Sequence, residues 1–116
     1  MKFIALVVVI EDKHEEEVIK VAKEAGAGSV TVTHGRSIGL EEKKVFFGLT
    51  LEENVSLLLF LLPKRTSLKV MRTIREKFDF SNPANNGMAF SFPLSHVVGL
   101  DMDEIQKFEN DIRHIL

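Results

Sequence analysis

The residues best suited to chemistry form a short polar stretch that follows a run of alternating Thr and Val. His34 leads into Gly35, Arg36 and Ser37, and Gly39 lies two residues further on. Glycines leave backbone N–H groups accessible, and a guanidinium and a hydroxyl add side-chain donors, so the stretch has the composition of an anion-binding loop. Glycines also form plain turns, and the stretch alone does not identify a ligand.

A second polar segment, Ser81–Gly87, ends in Asn85-Asn86-Gly87. Asn-Gly is a common turn before a strand, so a structural turn explains this segment equally well. Taken alone, each of the two polar segments is better explained as a structural turn than as a binding site. If the fold brings the two segments together across a subunit interface, they form a ligand-binding site instead.

Catalytic and metal-binding signatures are absent from the sequence. Only His34 lies beside a glycine-rich stretch, and His14 and His114 are predicted to be solvated helix residues. No Ser lies in a GxSxG elbow, no phosphate loop is present, and no two carboxylates are placed to act as acid and base. We therefore predict no catalytic residue, no metal site and no enzyme.

Composition limits the class of protein. The 116 residues suffice for one domain, assigned to 1–116 with a core over 1–100 and a C-terminal helix over 101–116. The net charge is −2 with cations spread along the chain, which argues against a nucleic-acid partner. The chain has no Cys, which excludes disulfides and thiolate chemistry. The apolar run Phe3–Ile10 is far shorter than the ~20 residues that span a bilayer, so we predict a cytoplasmic protein without membrane insertion.

The first half of the chain predicts a strand, a helix and a second strand. Phe3–Ile10 is apolar at odd and even positions, which is typical of a strand covered on both sides. Asp12 is a candidate cap for a helix whose acidic start, Glu15–Glu17, is predicted to be solvated. The apolar stripe of this helix is Val18, Val21, Ala22 and Ala25. Gly26 and Gly28 end the helix. Ser29–His34 is predicted to be the second strand and Gly35–Lys44 a loop.

The second half predicts the same order of elements. Val45–Leu51 and Val55–Leu62 are apolar runs separated by Glu52-Glu53-Asn54, and they form either a hairpin or one bent strand. A helix follows, capped by Thr66 or Ser67, with the apolar stripe Leu68, Met71, Ile74 and Phe78. Next come a strand Met88–Phe92 and a short edge strand Ser95–Leu100. A C-terminal helix begins at the capping box of Asp101 and Glu104.

This order predicts an α+β, ferredoxin-like (βαββαβ) fold, in which two helices cover one face of a four-stranded antiparallel sheet. The first and third strands are central in that topology, and they are the two with apolar residues at both parities. The second face of the sheet would then expose a larger apolar area than monomers usually tolerate. Either the C-terminal helix or another subunit covers that face; we expect another subunit, and therefore an oligomer.

The chain resembles the PII (nitrogen regulatory) signalling-protein family and its PII-like relatives over residues 2–100. The resemblance rests on the first strand with its acidic helix start, on the run AGAGSVTVTHGRSIG from Ala25 and on NNGMAFSFPL from Asn85. Thr31-Val32-Thr33 matches the family's TVT strand, Ser37-Ile38-Gly39 takes the place of its Gly-Phe-Gly turn, and Gly87 and Phe90 match its GDGKIF loop.

The resemblance implies a homotrimer that binds adenine nucleotides between subunits and contacts a partner protein through a loop, here Gly35–Lys44. It implies a sensor rather than a catalyst. With the cofactor undetermined beyond a possible adenine nucleotide or small anion, the implied ligand-binding residues are Thr33, His34, Gly35, Arg36, Ser37, Gly39, Asn85, Asn86, Gly87 and Met88.

Several family positions differ in this chain. Met88 replaces the Lys that neutralises nucleotide phosphates, Leu40-Glu41 replaces an Arg-Gln pair, and the last Arg-x-Arg falls within Val97–Leu100. Two alternatives are open from the sequence. One is a metal-binding trimer similar to the copper-tolerance proteins, which requires His34, His96 or carboxylates to converge. The other is a small dimeric enzyme with His34 as base and a closed apolar pocket on the sheet face.

Overall fold

The computed structural model describes residues 2–40, 45–46, 49–50, 52–82, 85 and 87–99. The elements in chain order are β1 (Phe3–Glu11), a 3-10 turn (Asp12–His14), α1 (Glu15–Glu24), β2 (Thr31–Ile38), β3 (Val45–Phe46), β4 (Leu49–Thr50), β5 (Glu52–Pro63), α2 (Lys64–Lys77) and β6 (Gly87–Pro93). The predicted C-terminal helix, with the capping box of Asp101 and Glu104, lies outside the described residues.

Four strands form one antiparallel sheet in the order β2-β5-β1-β6. The central strands are β1 and β5, as the two-sided apolar pattern predicts. This order, with two helices joining the strands, confirms the predicted α+β, ferredoxin-like fold. β3 and β4 pair with each other in a separate two-stranded ladder.

The main core lies between the helices and one face of the sheet. Its buried members from the sheet and helices are Leu6, Val8, Ile10, Val18, Val21, Ala22, Ala25, Leu58, Phe60, Leu62, Val70, Ile74 and Phe78. The α1 residues are those of the predicted stripe. Even-numbered residues of β1 and β5 therefore face the helices, because alternate residues of a strand point to opposite faces.

The odd-numbered residues of β1 and β5 lie on the opposite side, which we call the open face. Val7 is opposite Phe90, and Val9 lies between Leu57 and Met88. Val7 is buried and Val9 is half-buried, but the flanking strands leave apolar side chains exposed, namely Leu57 (37%), Leu61 (44%), Met88 (58%), Phe90 (45%) and Phe92 (45%). No helix among the described residues covers this face.

The predicted second strand is too short. β2 runs to Ile38, so Gly35, Arg36 and Ser37 belong to a strand and the prediction that they form a loop is wrong. The separator Glu52-Glu53-Asn54 also belongs to a strand, because β5 starts at Glu52 and pairs these residues with the end of β2. The pairing supplies backbone hydrogen bonds at a sheet edge, where polar side chains remain solvated.

Both helices start differently from the prediction. Asp12 begins a 3-10 turn and makes no side-chain cap, and α1 begins at Glu15. α2 begins at Lys64, directly after Pro63, so Thr66 and Ser67 lie buried in its first turn instead of capping it. Of the predicted stripe, Ile74 and Phe78 are buried and Met71 packs against the core, whereas Leu68 is 58% exposed and Val70 is buried instead.

The turn after α1 and the last strand agree with the prediction, whereas the predicted edge strand does not. Gly26 ends α1 with a φ of 115°, a backbone conformation that favours glycine. β6 extends the predicted Met88–Phe92 by one residue at each end. The predicted edge strand Ser95–Leu100 is wrong for residues 95–99, which form no strand, although the backbone N–H of Leu94 still bonds the carbonyl of Phe3 at 3.0 Å.

No helix in the part of the chain that the structure describes combines the length and apolar character needed to cross a membrane.

Gly87 and Gly35 differ in the space around them. A Cβ at Gly87 would lie 2.6 Å from the carbonyl oxygen of Val9 and 3.1 Å from Ile10 Cγ2, whereas one at Gly35 would meet nothing within 4 Å. We expect Gly87→Ala to lower the free energy of unfolding by about 1–3 kcal/mol, since the backbone of β1 or β6 has to shift. Gly35→Ala is the matched control and should change it little. Urea denaturation of both variants measures this, and equal losses would contradict it.

Candidate functional site

Glu15 joins β2, β5 and α1 at one end of the sheet. Its Oε1 accepts a 2.7 Å hydrogen bond from Ser56 Oγ and lies 2.6 Å from His34 Nε2. Ser56 is fully buried, and the His34 side chain is 65% exposed. Because Glu15 begins α1 while His34 and Ser56 face each other across β2 and β5, the carboxylate ties the edge strand to the helix layer.

The order of these three side chains excludes a serine-hydrolase arrangement. In a catalytic triad the His lies between the Ser and the acid, so that it can take the hydroxyl proton. Here the carboxylate lies between Ser56 and His34, and Ser56 donates its hydrogen bond to that carboxylate instead of to His34. The cluster therefore positions His34 and the edge strand, and it does not activate a nucleophile.

These hydrogen bonds determine the ionisation of Glu15. The bond from Ser56 is the largest influence and, with the bond to His34, lowers the pKa of the Glu15 carboxyl below its ordinary value, outweighing the partial desolvation that raises it. Glu15 is therefore a stable anion near neutral pH. The sequence predicted it to be a solvated helix residue, which is wrong for Glu15.

The strand geometry divides the predicted site residues of β2 between two faces. His34 and Arg36 lie on the helix side, with Ser56 as the partner of His34, whereas Thr33, Gly35 and Ser37 lie on the open-face side. Gly39 follows directly after the strand. The sequence grouped all of them in one loop, but only the second set can line a cleft on the open face.

The other predicted residues lie at β6. Gly87 and Met88 begin β6, beside Ile10 and Val9, and Met88 is exposed on the open face. Asn85 holds its own loop together: its backbone N–H bonds the Asn82 carbonyl and its Nδ2 bonds the Asp79 carbonyl. Asn86 lies outside the described residues.

Within one chain the two predicted segments do not meet. β2 and β6 are the opposite edges of the sheet, separated by β5 and β1, which amounts to about 14 Å at the usual strand spacing. They do share one end of the sheet, because Gly35 is aligned through Val55 and Glu11 with the start of β6. A cleft lined by both segments requires the β6 edge of a second chain.

Metal ligation has limited support among the described residues. They contain no group of three His, Asp or Glu side chains close enough to hold a metal ion. His34 and Glu15 are the closest such pair, at 2.6 Å. His14 is not the solvated residue that was predicted: its side chain is 20% exposed, and its ring packs edge-on against Phe78 with 4.9 Å between centroids.

Sequence reasoning missed Glu15 and Ser56 as members of the site. They lie 19 and 41 residues from their partners along the chain, in the pairs Glu15–His34 and Glu15–Ser56. Ser56 is the one polar residue in the apolar run Val55–Leu62, and this is the signal in the sequence that pointed to a buried hydrogen bond.

Replacing Glu15 by Gln is expected to lower the thermal midpoint at neutral pH. Because its pKa is lowered on folding, its stabilisation is complete above the unfolded value of about 4.3 and is lost as the pH falls through the folded value. The difference between wild type and Glu15→Gln should therefore shrink on acidification. Thermal melts between neutral pH and about pH 3 measure it, with the exposed Glu16→Gln as control. A difference independent of pH would contradict the role of Glu15.

Comparison with known proteins gives a structural likeness. No protein-family model matches the chain, and no curated protein matches it by sequence. GlnK of B. subtilis, in a complex with ATP, superposes with a TM-score of 0.67 at 15% identity, covering 84% of this chain and 85% of that one.

Two further structures show the range of the likeness. CPII of Thiomonas intermedia K12, bound to ADP and bicarbonate, has a TM-score of 0.59 at 16% identity, covering 81% of this chain and 87% of that chain. The periplasmic divalent cation tolerance protein CutA of Archaeoglobus fulgidus has a TM-score of 0.64 at 11% identity, covering 93% and 98%. The resemblance to PII-like proteins is confirmed at the level of the fold, which this chain shares with GlnK, CPII and CutA.

Proposed function

We propose that the protein is a PII-like, cytoplasmic regulatory protein without catalytic activity, a homotrimer that binds a nucleotide or small anion in clefts between subunits. The observation that carries the proposal is the position of the predicted segments on opposite edges of the sheet but at the same end. One chain holds half of a cleft at β2 and the other half at β6, and a ring of chains completes each cleft.

The open face supports the oligomer. Five large apolar side chains on it are exposed by more than a third, and they lie over a row of buried β1 residues. A continuous apolar surface of this kind is typical of a subunit interface. No helix of the residues that the structure describes covers this face, which supports its role as an interface between copies of the chain.

The ligand class follows from the groups at the two edges. Thr33 and Ser37 offer hydroxyls on the open-face side, and the outer edges of β2 and β6 offer backbone donors. Arg36, the one Arg among the predicted site residues, lies on the helix side of β2 and does not face this cleft. GlnK was solved with ATP and CPII with ADP and bicarbonate, which supports a nucleotide or a small anion as the ligand class here.

The partner protein is assigned to the segment that follows Gly39. Gly35–Ile38 is held in β2 by pairing with β5 and by the Glu15 cluster next to it, so the segment leaves the sheet from a fixed base. Residues 41–44 lie outside the described residues. A ligand in a cleft at Gly35–Gly39 would lie at the base of that segment, which provides a route from ligand to partner.

The two alternatives have less support. A divalent-cation protein is favoured by the likeness to CutA and by the His34–Glu15 pair, but a third ligand is missing from the described residues. A small enzyme with His34 as base was tied to a closed apolar pocket on the sheet face. In one chain that face is open, and His34 lies on the other side of the sheet.

The oligomer is tested by mass. We expect light scattering to give about 39 kDa, three times the 13.1 kDa of one chain. Phe90→Glu places a charge on the open face and should give monomers. Leu68→Glu is the matched control, because Leu68 is a large exposed apolar residue on the helix side. A monomeric wild type would overturn the proposal, as would equal effects of the two substitutions.

The ligand is tested by isothermal titration with ATP, ADP, AMP and cyclic AMP. We expect at least one to bind, and Ser37→Ala, which removes a hydroxyl from the open-face side of β2, to weaken it by about tenfold, the loss of one hydrogen bond to a charged group. Ser29→Ala, an exposed Ser before β2, is the matched control and should leave the affinity unchanged. Absence of binding by all four nucleotides, or equal effects of the two substitutions, would remove the nucleotide-sensor function.

A further inference from the structure

The outer side of α2 carries an unusual concentration of positive charge. The helix has six Lys or Arg and one Glu, whereas the remainder of the chain has nine Lys or Arg and sixteen Asp or Glu. The solvent-facing residues that make up this basic stripe are Lys64, Arg65, Leu68, Lys69, Arg72 and Arg75. At 100° per residue all six fall within one arc of the helix, over about 17 Å of its length.

The charge of the basic stripe is not balanced within the described residues. Lys77, which lies at its margin, pairs with Glu24 at 3.6 Å, but the five cations of the stripe have no ion pair in that part of the structure. Glu76 is the one anion on the same side. Like charges three and four residues apart on a helix repel each other, so the stripe costs stability.

The charges in the first turn of α2 are also unfavourable for the helix. The first turn of α2 contains Lys64 and Arg65, no acidic residue, and no side-chain cap from Pro63. Cations at a helix N-terminus oppose the helix dipole, whereas α1 has three Glu in its first turn as the dipole favours. Charges that destabilise the folded chain, with no compensating contact inside it, are expected at a functional surface.

We propose that the basic stripe of α2 is a docking surface for an acidic segment of a partner protein. The helices lie on the side of the sheet away from the open face, so the stripe stays accessible in a trimer built on that face. This surface is separate from the ligand cleft and from the segment after Gly39. The protein would therefore contact partners at two places.

The chemistry of the stripe favours a protein partner over other polyanions. Three of its five cations are Arg, which binds carboxylates with two parallel hydrogen bonds, and Leu68 is an exposed apolar centre between Arg65 and Arg72. A central apolar residue with a charged rim is typical of protein interfaces. Nucleic-acid surfaces add hydroxyl and amide side chains, and membrane surfaces add several apolar or aromatic ones, which this stripe does not show.

The test uses a labelled helical peptide with four Glu around one Leu on a single face, and the same peptide with Gln in place of Glu. We expect the Glu peptide to bind the full chain at low salt and to weaken at high salt, and the Gln peptide not to bind. Arg65→Glu with Arg72→Glu should weaken binding by about tenfold or more. Lys20→Glu with Lys23→Glu, the same charge change on exposed α1 residues, should change it by less than about twofold.

Stability separates a docking role from a structural one. Because Arg65 and Arg72 lie among like charges, their replacement by Glu should leave the thermal midpoint unchanged or raise it. A lowered midpoint would show that the cations serve the fold. Equal binding of the Glu and Gln peptides, equal loss in the α1 control, or tighter binding of a short DNA duplex or of phosphatidylserine vesicles than of the Glu peptide would each overturn the proposal.

Discussion

The structure depends on one imbalance: its two central strands are apolar on both faces, but the two helices of the described residues cover only one of them. The helix side forms a closed core around Leu6, Phe60 and Ile74. On the open face Val7 is buried, whereas Phe90 remains 45% exposed. Burial of that exposed apolar surface is favourable, and the proposed association of subunits would bury it.

The imbalance also determines where a ligand can bind. Once the open face is taken as an interface, the edges β2 and β6 become the places where subunits meet, and the predicted polar residues lie at one end of those two edges. Glu15 then has a clear role, because it anchors β2 at the position where a neighbouring chain would approach. A buried Ser56 and a pKa lowered by its hydrogen bond keep that anchor ionised.

Local patterns predicted the fold well, since strand and helix periodicities and the order of elements are written in consecutive residues. What they could not predict depended on pairing between distant segments. Gly35–Ser37 looked like a loop because only the register with Asn54 and Glu53 makes it a strand. The link of Glu15 to Ser56 spans 41 residues, and Gly87 is a glycine because the Val9 carbonyl lies against it, which no turn pattern expresses.

The exposure of Leu68 shows how one wrong prediction can carry functional information. The predicted stripe placed Leu68 in the core together with Ile74. In the structure Ile74 is buried, but Val70 is buried in place of Leu68, which lies exposed among Arg65 and Arg72. The even spread of charge along the sequence had excluded a basic face. Because packing at the core sets the rotation of α2, a basic face arises that the linear sequence concealed, and it lies opposite the surface that association would bury.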